Sequence, residues 1–66
     1  MIITINGKPE EIKLQSNLAE LISSKGLCAN NLVIEHNAII VPKQKWPKTA
    51  LKENDVVEIV SFVGGG

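Results

Sequence analysis

Arginine is missing altogether from this 66-residue chain. Its cationic side chains are seven lysines, and seven carboxylate side chains cancel them. A neutral, arginine-free surface with one Trp and one Phe argues against nucleic acid, whose recognition needs a basic face and stacking residues. Cysteine is reduced to Cys28, which excludes an internal disulfide and cannot alone hold zinc or an iron–sulfur cluster. A reducing, cytoplasmic setting is therefore expected. No apolar run approaches the roughly 20 residues that cross a bilayer, so no membrane partner is expected. Met1 leads straight into a strand pattern, so no signal peptide is expected. Length is also scarce. A single domain of this size buries only about 60% of its unfolded surface, and a substrate pocket would remove packing from a small core.

What remains is a globular composition, 44% apolar and 21% charged, with the charges spread along the chain. Met1 to Ile5 is β-branched and runs into Asn6-Gly7, a strong signal for a type I′ hairpin because both central residues need φ > 0. Lys8-Pro9 is expected to widen that turn, since Pro9 has no N–H for a ladder. Glu10 to Leu14 then reads as the return strand, with Ile12 and Leu14 on one face. Asn17 to Gly26 carries both helix end signals. Asn17 and Glu20 have capping-box spacing, Leu18, Leu21 and Ile22 share a face, and Gly26 suits the left-handed residue of a Schellman ending with Leu27 folding back. So short a helix must pack on a sheet to be stable. After a connection at 28–31, Leu32 to His36 is a third strand, Asn37-Ala38 a turn and Ile39 to Val41 a short strand stopped by Pro42. Residues 43–52 read as irregular around Trp46-Pro47, with room for one helical turn before it. Asn54-Asp55 is a turn, and Val56 to Phe62 is the last strand.

The order strand, strand, helix, strand, strand, strand predicts an α+β domain, a mixed four- to five-stranded sheet packed on one main helix. By fold analogy the economical arrangement is a β-grasp (ubiquitin-like) roll with the first and last strands parallel at the sheet centre. Strand parity then assigns faces. Glu58 belongs in water because an unpaired buried carboxylate is costly, so Val57 and Ile59 face the helix. Val56, Val60 and Phe62 fall on the open face. Glu35 likewise sends Val33 outward and Leu32 and Ile34 inward. Val33, Val60 and Phe62, with Ile2 beside them, suggest a docking surface. The competing reading is that the Trp46 loop folds over them, or that β-propensity alone selected them.

Residues 63–66, Val63-Gly64-Gly65-Gly66, read as a flexible C-terminal tail on a single domain spanning 1–66. Three residues without side chains can thread a channel too narrow for a Cβ, reaching about 10 Å beyond the sheet. A frayed, inert end has the same composition. The tail on its own leaves both readings open.

Two stretches together carry a family resemblance. Leu32 to Trp46, with Val41-Pro42 and Trp46 a few residues on, and Asn54-Asp55 running through an apolar strand into Gly65-Gly66, resemble the ThiS-type sulfur carriers of thiamin biosynthesis. Family members commonly have Gly-Asp where this chain has Asn54-Asp55. The resemblance implies that the Gly66 carboxylate is the reactive group. An E1-like, ThiF-type enzyme would adenylate it at the expense of ATP, and a sulfur donor enzyme would convert it to a thiocarboxylate. The sulfur would then pass to a ThiG-type thiazole synthase. Gly64, Gly65 and Gly66 would thread into partner active sites, with Val33, Val60 and Phe62 as the docking surface. The carrier would be a protein co-substrate rather than an enzyme and would bind no cofactor or metal.

The other polar and aromatic residues read more plainly. Cys28 has no neighbouring base or cation in sequence to activate it and reads as incidental. His36 lies at a strand end without a ligating companion and reads as a turn histidine. Trp46 reads as a cap on the core, and Lys43, Lys45, Lys48 and Lys52 as a solvated loop. Adjacent Glu10 and Glu11 point to opposite faces and so are no catalytic pair. Three alternatives share the fold: the small subunit of molybdopterin synthase, a modifier joined to lysines, and an interaction or RNA-binding domain with an inert tail.

Overall fold

A computed structural model describes residues 1–62. The expected flexible tail at 63–66 lies outside the described residues. β1 (Ile2–Ile5) and β2 (Lys8–Glu11) form a hairpin; α1 (Leu18–Ser24) follows. A single 3₁₀ turn at Ala29–Asn31 leads into β3 (Leu32–His36) and β4 (Ile39–Ile40). A 3₁₀ helix at Lys43–Lys48 precedes β5 (Val56–Ser61). The five strands make one mixed sheet in the order β2-β1-β5-β3-β4, with β1 and β5 parallel and the other neighbours antiparallel. The expected α+β roll, with first and last strands side by side, is what forms.

The local signals act as their chemistry requires. Asn6 and Gly7 have φ of 51° and 81°, and Asn37 and Ala38 have 51° and 72°, so both hairpins turn through left-handed residues. Asn17 accepts from the Glu20 N–H at 2.8 Å while the Glu20 carboxylate accepts from the Asn17 N–H at 3.0 Å. Gly26, at φ 68°, donates to Ser23 O, and Leu27 donates to Ile22 O, which completes the Schellman ending.

Two expectations about the first hairpin are corrected. Lys8-Pro9 does not widen the turn: Ile5 pairs directly with Lys8, and Pro9 pairs with Thr4 inside β2. Proline is tolerated because β2 is the sheet edge and Thr4 directs its own N–H away, to Asp55 O on the β5 side. The return strand therefore runs from Lys8 to Glu11 rather than from Glu10 to Leu14. Ile12 is half-buried, but Leu14 lies beyond the ladder and is 72% exposed. A third correction concerns residues 43–52, where the 3₁₀ helix continues through Trp46-Pro47 instead of stopping before it.

The core sits between the sheet and α1. It comprises Ile3, Ile5, Leu18, Leu21, Ile22, Ile34, Trp46, Leu51 and Val57. Each aliphatic side chain buried in this way stabilises the fold by about 1.5–3 kcal/mol, against the conformational entropy of ordering the chain. Trp46 closes the core from the helix side and donates its indole N–H to Val41 O at 2.9 Å. The loop after it is tied to the helix start, with Leu18 N–H donating to Thr49 O and Leu51 N–H to Ser16 O. No helix among the described residues is long and apolar enough to cross a membrane.

Candidate functional site

Helix and Trp46 cover one face of the sheet; among the described residues nothing covers the other. Alternation along β5 places Val57 in the core and Ile59 against it, while Val56, Glu58 and Val60 are exposed. Val60 is 55% exposed and Phe62 49%. Val33 of β3 is the direct partner of Val60 and lies half-buried beside it. Phe62 follows the last residue of β5 and still donates its N–H to Asn31 O at 3.0 Å, which holds it in line with the strand. The structure thus brings Val33, Val60 and Phe62 together on one surface. The Trp46 loop does not fold over them, because its 3₁₀ helix packs on α1 at the opposite side of the sheet. Gly64, Gly65 and Gly66, the other expected site residues, lie outside the described residues.

Parity also identifies an outward residue that single-strand reading passed over. Val56 lies on this face as its alternation predicted, and the residue passed over is Ile40, which pairs with Glu35 across β3 and β4. Ile39 and Ile40 are both largely exposed, although their sequence pattern alone suits a buried strand. Only knowing that β4 is a sheet edge separates the two cases. Glu35 and Glu58 sit opposite one another, a juxtaposition that depends wholly on strand register.

The opposite end of β5 is held by a polar cluster. The Asp55 carboxylate, 8% exposed, accepts from His36 Nε2 at 2.7 Å, from the Lys52 N–H at 2.9 Å and from Asn37 Nδ2 at 3.1 Å. An ionised carboxylate only accepts, so the His36 proton must sit on Nε2. Burial pushes the Asp55 pKa upward, but the bonds from His36, Lys52 and Asn37 outweigh it and leave the carboxyl below its ordinary value. Asn37 also accepts from the Val56 N–H at 2.9 Å, so the β3–β4 turn is bolted to the start of β5. His36 is therefore a structural partner, a role its sequence neighbours did not disclose.

The remaining candidates are placed without joining a site. Cys28 is exposed. Lys43 donates to Asn30 Oδ1 at 2.7 Å. Glu10 pairs with Lys25 at 2.9 Å on the helix side, whereas Glu11 lies opposite Ile2. Among the described residues no group of three or more His, Cys, Asp or Glu could hold a metal ion.

A two-layer roll of this topology is matched among known proteins. A crystal structure of thiamine biosynthesis protein ThiS from Geobacter metallireducens superposes with a TM-score of 0.86 at 32% identity, covering 100% of both chains. Sulfur carrier protein ThiS of Bacillus subtilis is 33% identical over 98% of this chain and 100% of its own length. A thiazole synthase of Paramagnetospirillum magneticum is 32% identical across 100% of this chain, which spans only 20% of that protein's length. The ThiS family model matches residues 3–66, both resemblance-bearing stretches and the glycine terminus included, and the chain belongs to that family.

Proposed function

We propose that this protein is a sulfur carrier for thiamin (thiazole) biosynthesis, with the Gly66 carboxylate as the group that carries sulfur. A carboxylate is ionised at neutral pH and is a poor electrophile. Attack of its oxygen on the α-phosphorus of ATP, catalysed by an E1-like ThiF-type enzyme, gives an acyl-adenylate and releases pyrophosphate. Sulfide supplied by a donor enzyme then attacks the acyl carbon and expels AMP, leaving a thiocarboxylate for a ThiG-type thiazole synthase. The folded body supplies no acid, base or metal to these steps. It supplies an unhindered glycine stalk at Gly64, Gly65 and Gly66 and a surface for docking at Val33, Val60 and Phe62.

The observation that carries this reading is the family match over residues 3–66 combined with the bare apolar face that ends at Phe62. The thiazole synthase relative adds a physical argument for the partner. There, a segment similar to this whole chain makes up 20% of a longer polypeptide. Covalent linkage raises effective concentration, and a free carrier must obtain the same encounter by docking.

Intact mass tests the proposal. With the adenylating enzyme, ATP and a sulfur source, the chain should gain about 16 Da, the replacement of one oxygen by sulfur at an activated carboxyl. Conjugates to lysine instead would convert the reading to a protein modifier, and no ATP-dependent change would remove the carrier function.

A further inference from the structure

The open face carries a charge pattern that its apolar residues do not explain. Glu35 and Glu58 are direct partners across β3 and β5. Two positions to one side Asn37 N–H donates to Val56 O, and four to the other Phe62 N–H donates to Asn31 O, so this pair belongs to the hydrogen-bonded set. The Cα atoms are then about 5.5 Å apart, and both carboxylates rise from the same face. Like charges set directly opposite destabilise a sheet. Neither glutamate takes part in an ion pair among the described residues.

Five of the seven lysines lie on the other side of the sheet. Lys8, within β2, is opposite the buried Ile5 and so on the helix side. Lys25 follows α1 and binds Glu10, and Lys43, Lys45 and Lys48 belong to the 3₁₀ helix against α1. The bare face thus presents an acidic pair, while Lys8, Lys25, Lys43, Lys45 and Lys48 lie on the covered side. The pair sits inside the apolar patch: Val33 and Val60 are the next outward pair along the strands, Val56 is the next outward residue the other way, and Ile40 is the lateral neighbour of Glu35.

We infer that the open face is shaped for a protein partner whose contact surface is apolar at its centre and carries an arginine or lysine that enters between Glu35 and Glu58. The inference rests on the carrier reading and specifies the chemistry by which the adenylating enzyme recognises the carrier. An arginine is the better fit, because its planar fork can serve two carboxylates at once. In the free domain the pair is repulsive; the partner's cation removes the repulsion, so stability is traded for recognition.

The test is binding of the carrier to the source organism's ATP-dependent adenylating enzyme, by calorimetry, between about 50 and about 300 mM salt. Glu35→Gln and Glu58→Gln should each weaken Kd about tenfold and make it less sensitive to salt. The same variants, free in solution, should melt about 2–4 °C higher. Loss of affinity together with gain of stability is a signature that a merely structural glutamate would not produce. Undiminished binding by both variants, or lowered melting temperatures, would overturn the inference. Salt-sensitive self-association of the wild type, abolished by Glu58→Gln, would also overturn it by naming a second copy as the occupant. If the wild type gains the thiocarboxylate mass while the variants bind as it does, only the charge pairing fails. If the wild type neither binds nor gains mass, the carrier reading fails with it.

Discussion

Replacing Asp55 by Asn removes one charge and one acceptor from a cluster in which the carboxylate takes three hydrogen bonds. Two donors converge on Oδ2, the His36 ring and the Lys52 N–H, so the new NH₂ is forced to the Oδ1 position. There it meets Asn37 Nδ2, another donor, and Asn37 cannot simply flip because its own oxygen accepts from the Val56 N–H. The variant loses one bond outright and the charge assistance of the other two, for a cost of about 2–3 kcal/mol. A domain of this length has roughly 3–10 kcal/mol in total, and the melting temperature should fall by about 10–20 °C. The pH dependence follows from the lowered Asp55 pKa. A depressed carboxyl contributes stability that is fully present above the unfolded value near ~3.9 and is lost as pH falls through the folded value. Urea unfolding of wild type and Asp55→Asn at pH 7 should show the full gap, and the gap should narrow below about pH 4. Equal stability at pH 7, or a gap that persists unchanged in acid, would refute the assignment of Asp55 as an ionised clasp.

Other outcomes can be checked on the same protein. Ala38 occupies the left-handed region at φ 72°, so Ala38→Gly should stabilise the domain by about 1 kcal/mol, read as a higher thermal midpoint. Phe62→Ala should weaken partner binding by more than about tenfold while costing under about 1 kcal/mol of stability, because the ring is half exposed; a large loss of stability would put Phe62 in the core instead. If the tail threads a partner channel too narrow for a side chain, as proposed, Gly65→Ala should leave urea unfolding unchanged and block the ATP-dependent mass gain. Normal activation of that variant would contradict threading.

Much of the fold was legible wherever a residue acts on its near neighbours. Asn6-Gly7 and Asn37-Ala38 mark turns because the left-handed backbone they adopt is a property of two residues. Asn17, Glu20 and Gly26 mark the helix ends because capping closes over three or four positions. Glu58 assigned the faces of β5 because alternation is local and a buried charge is costly. Legibility failed at Pro9 and Leu14. Whether a proline can sit in a strand depends on which side the strand has a neighbour, and β2 has none on its outer side. The candidate surface was legible as three residues, Val33, Val60 and Phe62, but not as a surface free of cover.

By itself the sequence determined the turns, both helix ends and the face polarity of β3 and β5, all set by interactions spanning a few residues. Only the tertiary structure decided that Trp46 closes the core from the helix side and leaves the other face bare. Only it decided that Asp55 clasps His36 from 19 positions away, and that Glu35 stands opposite Glu58. Those outcomes follow from strand register and from which side of the sheet a loop packs on. Both are chosen by burial of the whole core at once, an energy that no short stretch of chain contains.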